Sequence, residues 1–223
     1  ITGNLEIPGG EIFSTAGEIG KIIDWEHLEL NDTLPQSQRA KQLGADRYPF
    51  FGFPGWERNQ DANKKLPPGY VAAPEAWHSN LAHARDVLNA AITGKPYPVT
   101  AAITLASNPL LSFPNTKRVF EALKSLQLYV VMDYYLTPSA ALADYVFPAA
   151  STVEQPELWL TGGFCMACPQ GIEPLYERRN SYDFYRGLGI RLGQTAHWPW
   201  KTMEEVYDHC LKPVGLTFKE LVK

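Results

Sequence analysis

The sequence predicts an α/β fold, an open, mainly parallel sheet flanked by helices, and three observations carry that reading. Two apolar runs, Val99 to Leu105 and Leu128 to Met132 (LYVVM), read as strands covered on both faces, because a sheet sandwiched between helices has no polar face to alternate with. Between them, Pro114 to Leu126 places Val119, Phe120, Leu123 and Leu126 on one side and Lys117, Arg118, Glu121 and Lys124 on the other, which is helical spacing. Each run ends in polar turn residues: Ser107, Asn108 and Pro109 after the first, Asp133 after the second. In such sheets ligands sit outside the carboxyl ends of the strands, so these two turns are expected to line one binding edge.

From the amino end, Ile1 to Gly20 contains Gly3, Gly9, Gly10, Gly17 and Gly20 and reads as a connector, with Ile1 to Gly10 expected to have lost a packing partner. Trp25 to Leu43 is expected to hold short helical pieces around Pro35. Tyr48 to Gly69 concentrates Phe50, Phe51, Phe53 and Trp56 with Gly and Pro, and is expected to be irregular. An aromatic satellite core under a long loop is favoured there over a substrate funnel, since aromatics bury more often than they gate. Pro74 to Thr93 predicts a helix with Leu81, Ala84, Val87, Leu88 and Ile92 on one face and a stop at Gly94.

Within the central unit, Pro114 suits a first helical turn, where its missing N–H costs nothing. Ser139 to Tyr145 is a short Ala-rich crossover, and Tyr145 to Pro148 enters a third strand parallel to the others. Ser151 to Glu177, punctuated by Gly162, Gly163, Pro169 and Gly171, predicts extended segments. Asn180 to Leu192 returns to helical spacing and ends at Gly193. Thr202 and Glu205 form a T-x-x-E helix start, and Thr217 to Val222 predicts a last short helix.

With 223 residues and 45% hydrophobic content the chain can bury a substantial core. Twenty Lys and Arg against 24 Asp and Glu give a net charge of −4 without a basic run, which argues against nucleic-acid binding. No apolar run approaches the roughly 20 residues needed to cross a bilayer, so direct membrane insertion is not expected. The start ITGNLEIPGG has neither an initiating Met nor a signal-peptide pattern, so the amino end is expected to be cut, with any export signal upstream.

Few residues carry obvious chemistry. Cys165-Met-Ala-Cys168 resembles half of a zinc or iron–sulfur site, but no second pair accompanies it, and the remaining candidate, the His209-Cys210 pair, lies beyond a predicted helix. His78 and His83, five apart, miss the i, i+4 spacing of a two-histidine helical metal site. Glycine-rich phosphate motifs are missing, so a nucleotide must be held by other means. Ser107 and Asn108 offer side-chain hydrogen bonds, and the loop offers backbone N–H groups to a pyrophosphate, with Pro109 fixing the turn; a helix-capping Asx turn explains them equally well. Asp133, at a strand's carboxyl end, can accept from the N1–H and N2–H₂ edge of guanine or from ribose hydroxyls, whereas adenine has no such edge.

The ordered set SNP, MDYYLTPSAALADYVFPAA and STVEQ resembles the molybdopterin-dinucleotide oxidoreductases of the dimethyl sulfoxide reductase family. GNLEIPGG, KPYPVTAAITLASNPLL and HWPW are most similar to its acetylene hydratase branch, with thiosulfate and polysulfide reductase subunits as further relatives. The resemblance covers nearly the whole chain, is weakest from Gly20 to Lys65, and implies an interior portion of a longer catalytic subunit. It implies residues 1–70 as connector and irregular lead-in and 71–223 as an α/β cofactor-binding domain.

The cofactor so implied is bis(molybdopterin guanine dinucleotide) with molybdenum or tungsten, with an iron–sulfur cluster in the parent but outside this chain. The residues carried over are Ser107, Asn108, Pro109, Met132 through its backbone, Asp133, Thr137, Gln155 and Asp183. At Gln155 some relatives have Lys, which puts a charged phosphate or ribose contact in doubt. No residue matches the family's metal-holding Ser, Cys, selenocysteine or Asp, so neither a catalytic residue nor a metal ligand is assigned. The implied partners are the remainder of the catalytic subunit and an iron–sulfur electron-transfer subunit, in the cytoplasm or the periplasm, soluble or in a membrane-associated complex. The implied parent activity is transfer of oxygen or sulfur; a non-redox hydratase, or a guanine-nucleotide-binding module without catalysis, are the alternatives.

Overall fold

The computed structural model describes residues 34–49, 52–65, 81–161 and 164–223. The connector at Ile1 to Gly20, Phe50, Phe51, His78, Gly162 and Gly163 lie outside them. The elements run α1 (Gln36–Arg39), α2 (Phe53–Asn63), α3 (Ala84–Thr93), β1 (Ala101–Leu105), α4 (Pro109–Ser112), α5 (Thr116–Ser125) and β2 (Leu128–Asp133). A 3₁₀ turn at Ala140–Leu142 leads to β3 (Tyr145–Pro148), followed by β4 (Glu157–Thr161), β5 (Phe164–Cys168), α6 (Ser181–Arg191), α7 (Met203–Leu211) and α8 (Phe218–Leu221). The described residues form two compact units, one of residues 83–156 and 170–202, the other of those described within 34–82, 157–169 and 203–223.

The first unit contains the parallel sheet, ordered β1-β2-β3, with Ile103 opposite Val130 and Val131 opposite Val146. Tyr129 and Val131 of β2 pack with Val119 and Leu123 of α5, and Leu110 and Ala140 close the same core. Asn115 caps α5, its side-chain oxygen accepting the Arg118 N–H at 3.2 Å. Pro114 therefore precedes the cap instead of sitting in the first turn, because an Asx oxygen satisfies an end donor that a proline cannot. Only β2 is covered on both faces. Ile103 and Leu105 of β1 and all four residues of β3 are exposed, since these are the outer strands of a three-stranded sheet.

Helix α3 begins at Ala84, later than expected. His83 is its N-cap residue, with Nδ1 3.1 Å from Asp86 Oδ2, and Gly94 ends it in the left-handed conformation (φ 69°). Leu81 to His83 stay outside the helix. The loop after β1 contains a short helix, α4, that the polar turn residues concealed. On α6, capped by Asn180, Phe184 packs on Phe147 of β3 with centroids 5.1 Å apart. Gly189 of α6 is approached so closely by Trp198 that a β-carbon would lie 2.7 Å from the indole Cδ1.

The second unit corrects one expectation. Phe53 to Asn63 is helix, not irregular chain: Pro54 lies in the first turn, where it needs no donor, and Glu57, Arg58, Gln60 and Ala62 favour helix beyond it. The extended segments expected after Ser151 form the antiparallel hairpin β4–β5, with Trp159 opposite Met166. Leu211 and Phe218 are its core residues, packed with Leu158, Cys165 and Ala167. At the start of α8, the short last helix expected from Thr217 to Val222, Thr217 and Glu220 form a capping box.

Candidate functional site

The carboxyl edge of the parallel sheet brings together the turns after β1 and β2. Asn108 Oδ1 accepts the Ser139 hydroxyl at 2.6 Å, and Ser139 Oγ in turn accepts the Leu110 N–H at 3.0 Å. Ser139 is fully buried, so this chain of bonds ties the two loops beneath the surface. The Ala106 N–H donates to the Met132 carbonyl at 3.0 Å, adding a second tie. The Asn108 Nδ2 group has no partner among the described residues, which leaves two donors at this edge.

Asp133 stands beside it. Its Oδ1 accepts the Tyr134 N–H at 2.7 Å and the Tyr135 N–H at 3.4 Å, an Asx-type turn, while Oδ2 has no hydrogen-bond partner among the described residues. An ionised carboxylate has about four acceptor positions, so the turn leaves roughly half of them open. Thr137 Oγ1 accepts the Ala140 N–H at 3.1 Å and starts the 3₁₀ turn. Ser107 is half-buried and Pro109 buried in the loop above β1. The backbone donors expected there for a pyrophosphate are committed internally: Leu110 N–H to Ser139, and those of Leu111 and Ser112 to the Asn108 carbonyl.

Gln155 and Asp183 are not in that cluster. They line a cleft of about 390 Å³ with Glu154, Gln170, Arg178, Arg179 and Asn180. Ala149, just past β3, forms a parallel bridge with Arg179, so the cleft continues the same carboxyl edge beyond the third strand. Glu154, fully buried, organises its wall. Oε1 accepts the Leu175 N–H at 2.9 Å and Arg178 at 2.8 Å, and Oε2 accepts the Ser151 N–H and hydroxyl at 2.8 and 2.7 Å. These bonds, the Leu175 N–H first, hold its carboxyl at about 2, well below the usual carboxylate range. Asp183 exchanges bonds with Asn180, its N–H donating to Asn180 Oδ1 at 2.7 Å.

Glu154 and Ser139 were not singled out from the sequence. Ser151 and Glu154 do match the S-x-x-E capping-box signature, which was the available signal; Ser139, in a turn-rich TPSA string, gave none. Cys165 and Cys168 lie three apart on strand β5, so alternation turns them to opposite faces, and burial pushes the Cys165 thiol up. Among the described residues no three His, Cys, Asp or Glu gather to hold a metal, and no helix is long and apolar enough to cross a membrane.

A family model described as molybdopterin oxidoreductase matches residues 10–191. The acetylene hydratase of Syntrophotalea acetylenica is 31% identical over 208 residues, covering 91% of this chain and 28% of that protein. A thiosulfate reductase molybdopterin-containing subunit of Salmonella typhimurium is 31% identical over 138 residues, 57% of this chain and 18% of that one. The solved acetylene hydratase from Pelobacter acetylenicus superposes with a TM-score of 0.78 at 30% identity, over 87% of this chain and 27% of its own. This chain thus spans about a quarter of the length of the hydratase it matches.

Proposed function

Because the chain belongs to the molybdopterin oxidoreductase family, we propose that it is the portion of a molybdenum or tungsten enzyme that binds the guanosine arm of a molybdopterin guanine dinucleotide. One observation supports the reading: Asp133 with open acceptor positions and Asn108 with an open Nδ2 donor lie in the turns that end adjacent parallel strands. Guanine presents the complement, two donors at N1–H and N2–H₂ beside the acceptor O6. Asp133 takes the donors, Asn108 gives to O6, and the Met132 backbone sets the strand end. Pro109 and Ser107 shape the loop, Thr137 holds the opposite turn, and Gln155 and Asp183 border the continuation of the site in the cleft.

When bound, such a cofactor supplies the reaction chemistry at its metal, while these residues bind and orient one arm. The proposed parent transfers oxygen or sulfur and works with the rest of its catalytic subunit and an iron–sulfur electron-transfer subunit, the cluster lying outside this chain. Similarity to acetylene hydratase favours a second reading, a non-redox hydratase holding the same cofactor. Within either, residues 1–70 serve as lead-in and 71–223 as the cofactor-binding domain.

The test is Asp133→Asn in the full-length protein that contains this chain. The amide keeps the turn but offers one acceptor oxygen and a donor where guanine also donates. Loss of a charge-assisted bond costs about 1.5–3 kcal/mol, roughly tenfold to a hundredfold in affinity for the arm. Metal and guanine released per protein should fall while activity per bound metal holds. Unchanged release of both would leave Asp133 a turn residue and remove it from the site.

A further inference from the structure

We propose that Ser139 is a positioning residue that locks the Asn108 side-chain amide with its Nδ2 group free, so that this edge accepts a 6-oxopurine and rejects a 6-aminopurine. The assignment rests on the guanosine-arm reading above. Asn108 is the N-cap residue of α4, yet its side chain makes no capping bond. An N-cap asparagine ordinarily turns its oxygen onto the second or third N–H of the helix. Here the second, that of Leu110, goes to Ser139 Oγ, and the third, that of Leu111, to the Asn108 carbonyl. Ser139 thus takes over the cap and holds Asn108 Oδ1 on its own hydroxyl.

The chemistry of that hydroxyl allows one orientation of the amide. Ser139 is fully buried and has a single proton to give. Its oxygen already accepts from Leu110, and among the described residues Asn108 Oδ1 is the acceptor of its proton. With the amide turned over, Nδ2 would meet Ser139 Oγ, which would then accept twice. The hydroxyl proton would be buried without a partner, an arrangement that folded chains avoid. The Asn108 backbone is fixed separately, its carbonyl accepting the N–H groups of Leu111 and Ser112 and the Ser112 hydroxyl. Ser139, 31 positions further along the chain, therefore decides which end of the amide is left for a ligand.

The consequence is a difference between purines. Guanine and hypoxanthine carry an acceptor oxygen at position 6 beside an N1–H donor, which suits the Nδ2 donor of Asn108 and the open acceptor positions of Asp133. Adenine carries an amino group at position 6 and an acceptor at N1, so donor would meet donor and acceptor would meet acceptor. An amide free to turn would offer Oδ1 to that amino group and soften the rejection.

The experiment titrates the cofactor-free full-length protein that contains this chain with the 5′-diphosphates of guanosine, inosine and adenosine, in wild type, Ser139→Ala and Asp133→Asn. The readout is the ratio of inosine to adenosine affinity, since a general loosening of the loop would weaken all three ligands together and leave the ratio alone. Wild type should prefer the guanosine and inosine forms. Ser139→Ala should reduce the ratio about tenfold, the loss expected from one unmatched hydrogen bond. If Ser139→Ala fails to fold, Ser139→Cys, whose thiol fills the space but donates weakly, should reduce the ratio severalfold. Two results would overturn the Ser139 assignment and leave the guanosine-arm reading standing, provided that Asp133→Asn still weakens guanosine diphosphate. They are a ratio unchanged in the variant that folds, and a wild type that binds inosine and adenosine forms alike. Failure of the wild type to bind guanosine diphosphate, or indifference of that binding to Asp133→Asn, would overturn both.

Discussion

Glu154 shows how one buried carboxylate can set the wall of a cleft. Its carboxyl stands at about 2 in the folded chain against an ordinary value of 4.5, because the Leu175 N–H, Ser151 and Arg178 all favour the charged form. The fold therefore gains from Glu154 above pH 4.5, and that gain is lost as the pH falls through about 2. Unfolding midpoints of wild type and Glu154→Gln, measured from pH 7 down to 2, should converge as the medium acidifies. Parallel curves would show that ionisation of Glu154 does not support the fold. That Asp133 and Asn108 lie at the sheet's carboxyl edge was legible in the sequence, because the one ends an apolar run and the other comes shortly after one. Glu154 and Arg178 were not, since their pairing spans 24 positions and no local pattern encodes it.

Among the elements, α6 allows a test whose sign separates two effects. Replacing a helical glycine by alanine ordinarily stabilises by roughly 1 kcal/mol. At Gly189 the new β-carbon would lie 2.7 Å from Trp198 Cδ1, and overpacking of this kind costs about 1–3 kcal/mol. Gly189→Ala should therefore lower the denaturation midpoint and alter the Trp198 emission; a raised midpoint would mean that the 194–200 segment yields freely. The three parallel strands could be read from their apolar runs, and β2 could be read nearly to the residue because it is the covered, central strand. Helix α2 could not, because Phe53, Trp56 and the Gly and Pro around them mimic a loop and hide the helix formers that follow. The short helix α4 was hidden in the same way by Ser107, Asn108 and Pro109.

At the scale of the whole chain, the proposed role assigns the metal's ligand and the iron–sulfur cysteines to other parts of the parent. This 24.9 kDa chain produced alone should then carry neither molybdenum, tungsten nor iron in stoichiometric amount by elemental analysis, and a stoichiometric metal would overturn the cofactor-arm reading. The division into units has a consequence for how the chain is made. The sheet unit is complete once residue 202 has been synthesised, although the chain leaves it at 157–169 for the hairpin and then returns. The hairpin at 157–169 belongs to the other unit, and it needs 203–223 to supply the Leu211 and Phe218 core on which it packs. Vectorial synthesis at about 5–20 residues per second therefore leaves the hairpin, although made earlier, waiting for its core. The sheet unit can settle first, and the hairpin closes on its core only when the segment 203–223 has followed it out of the ribosome.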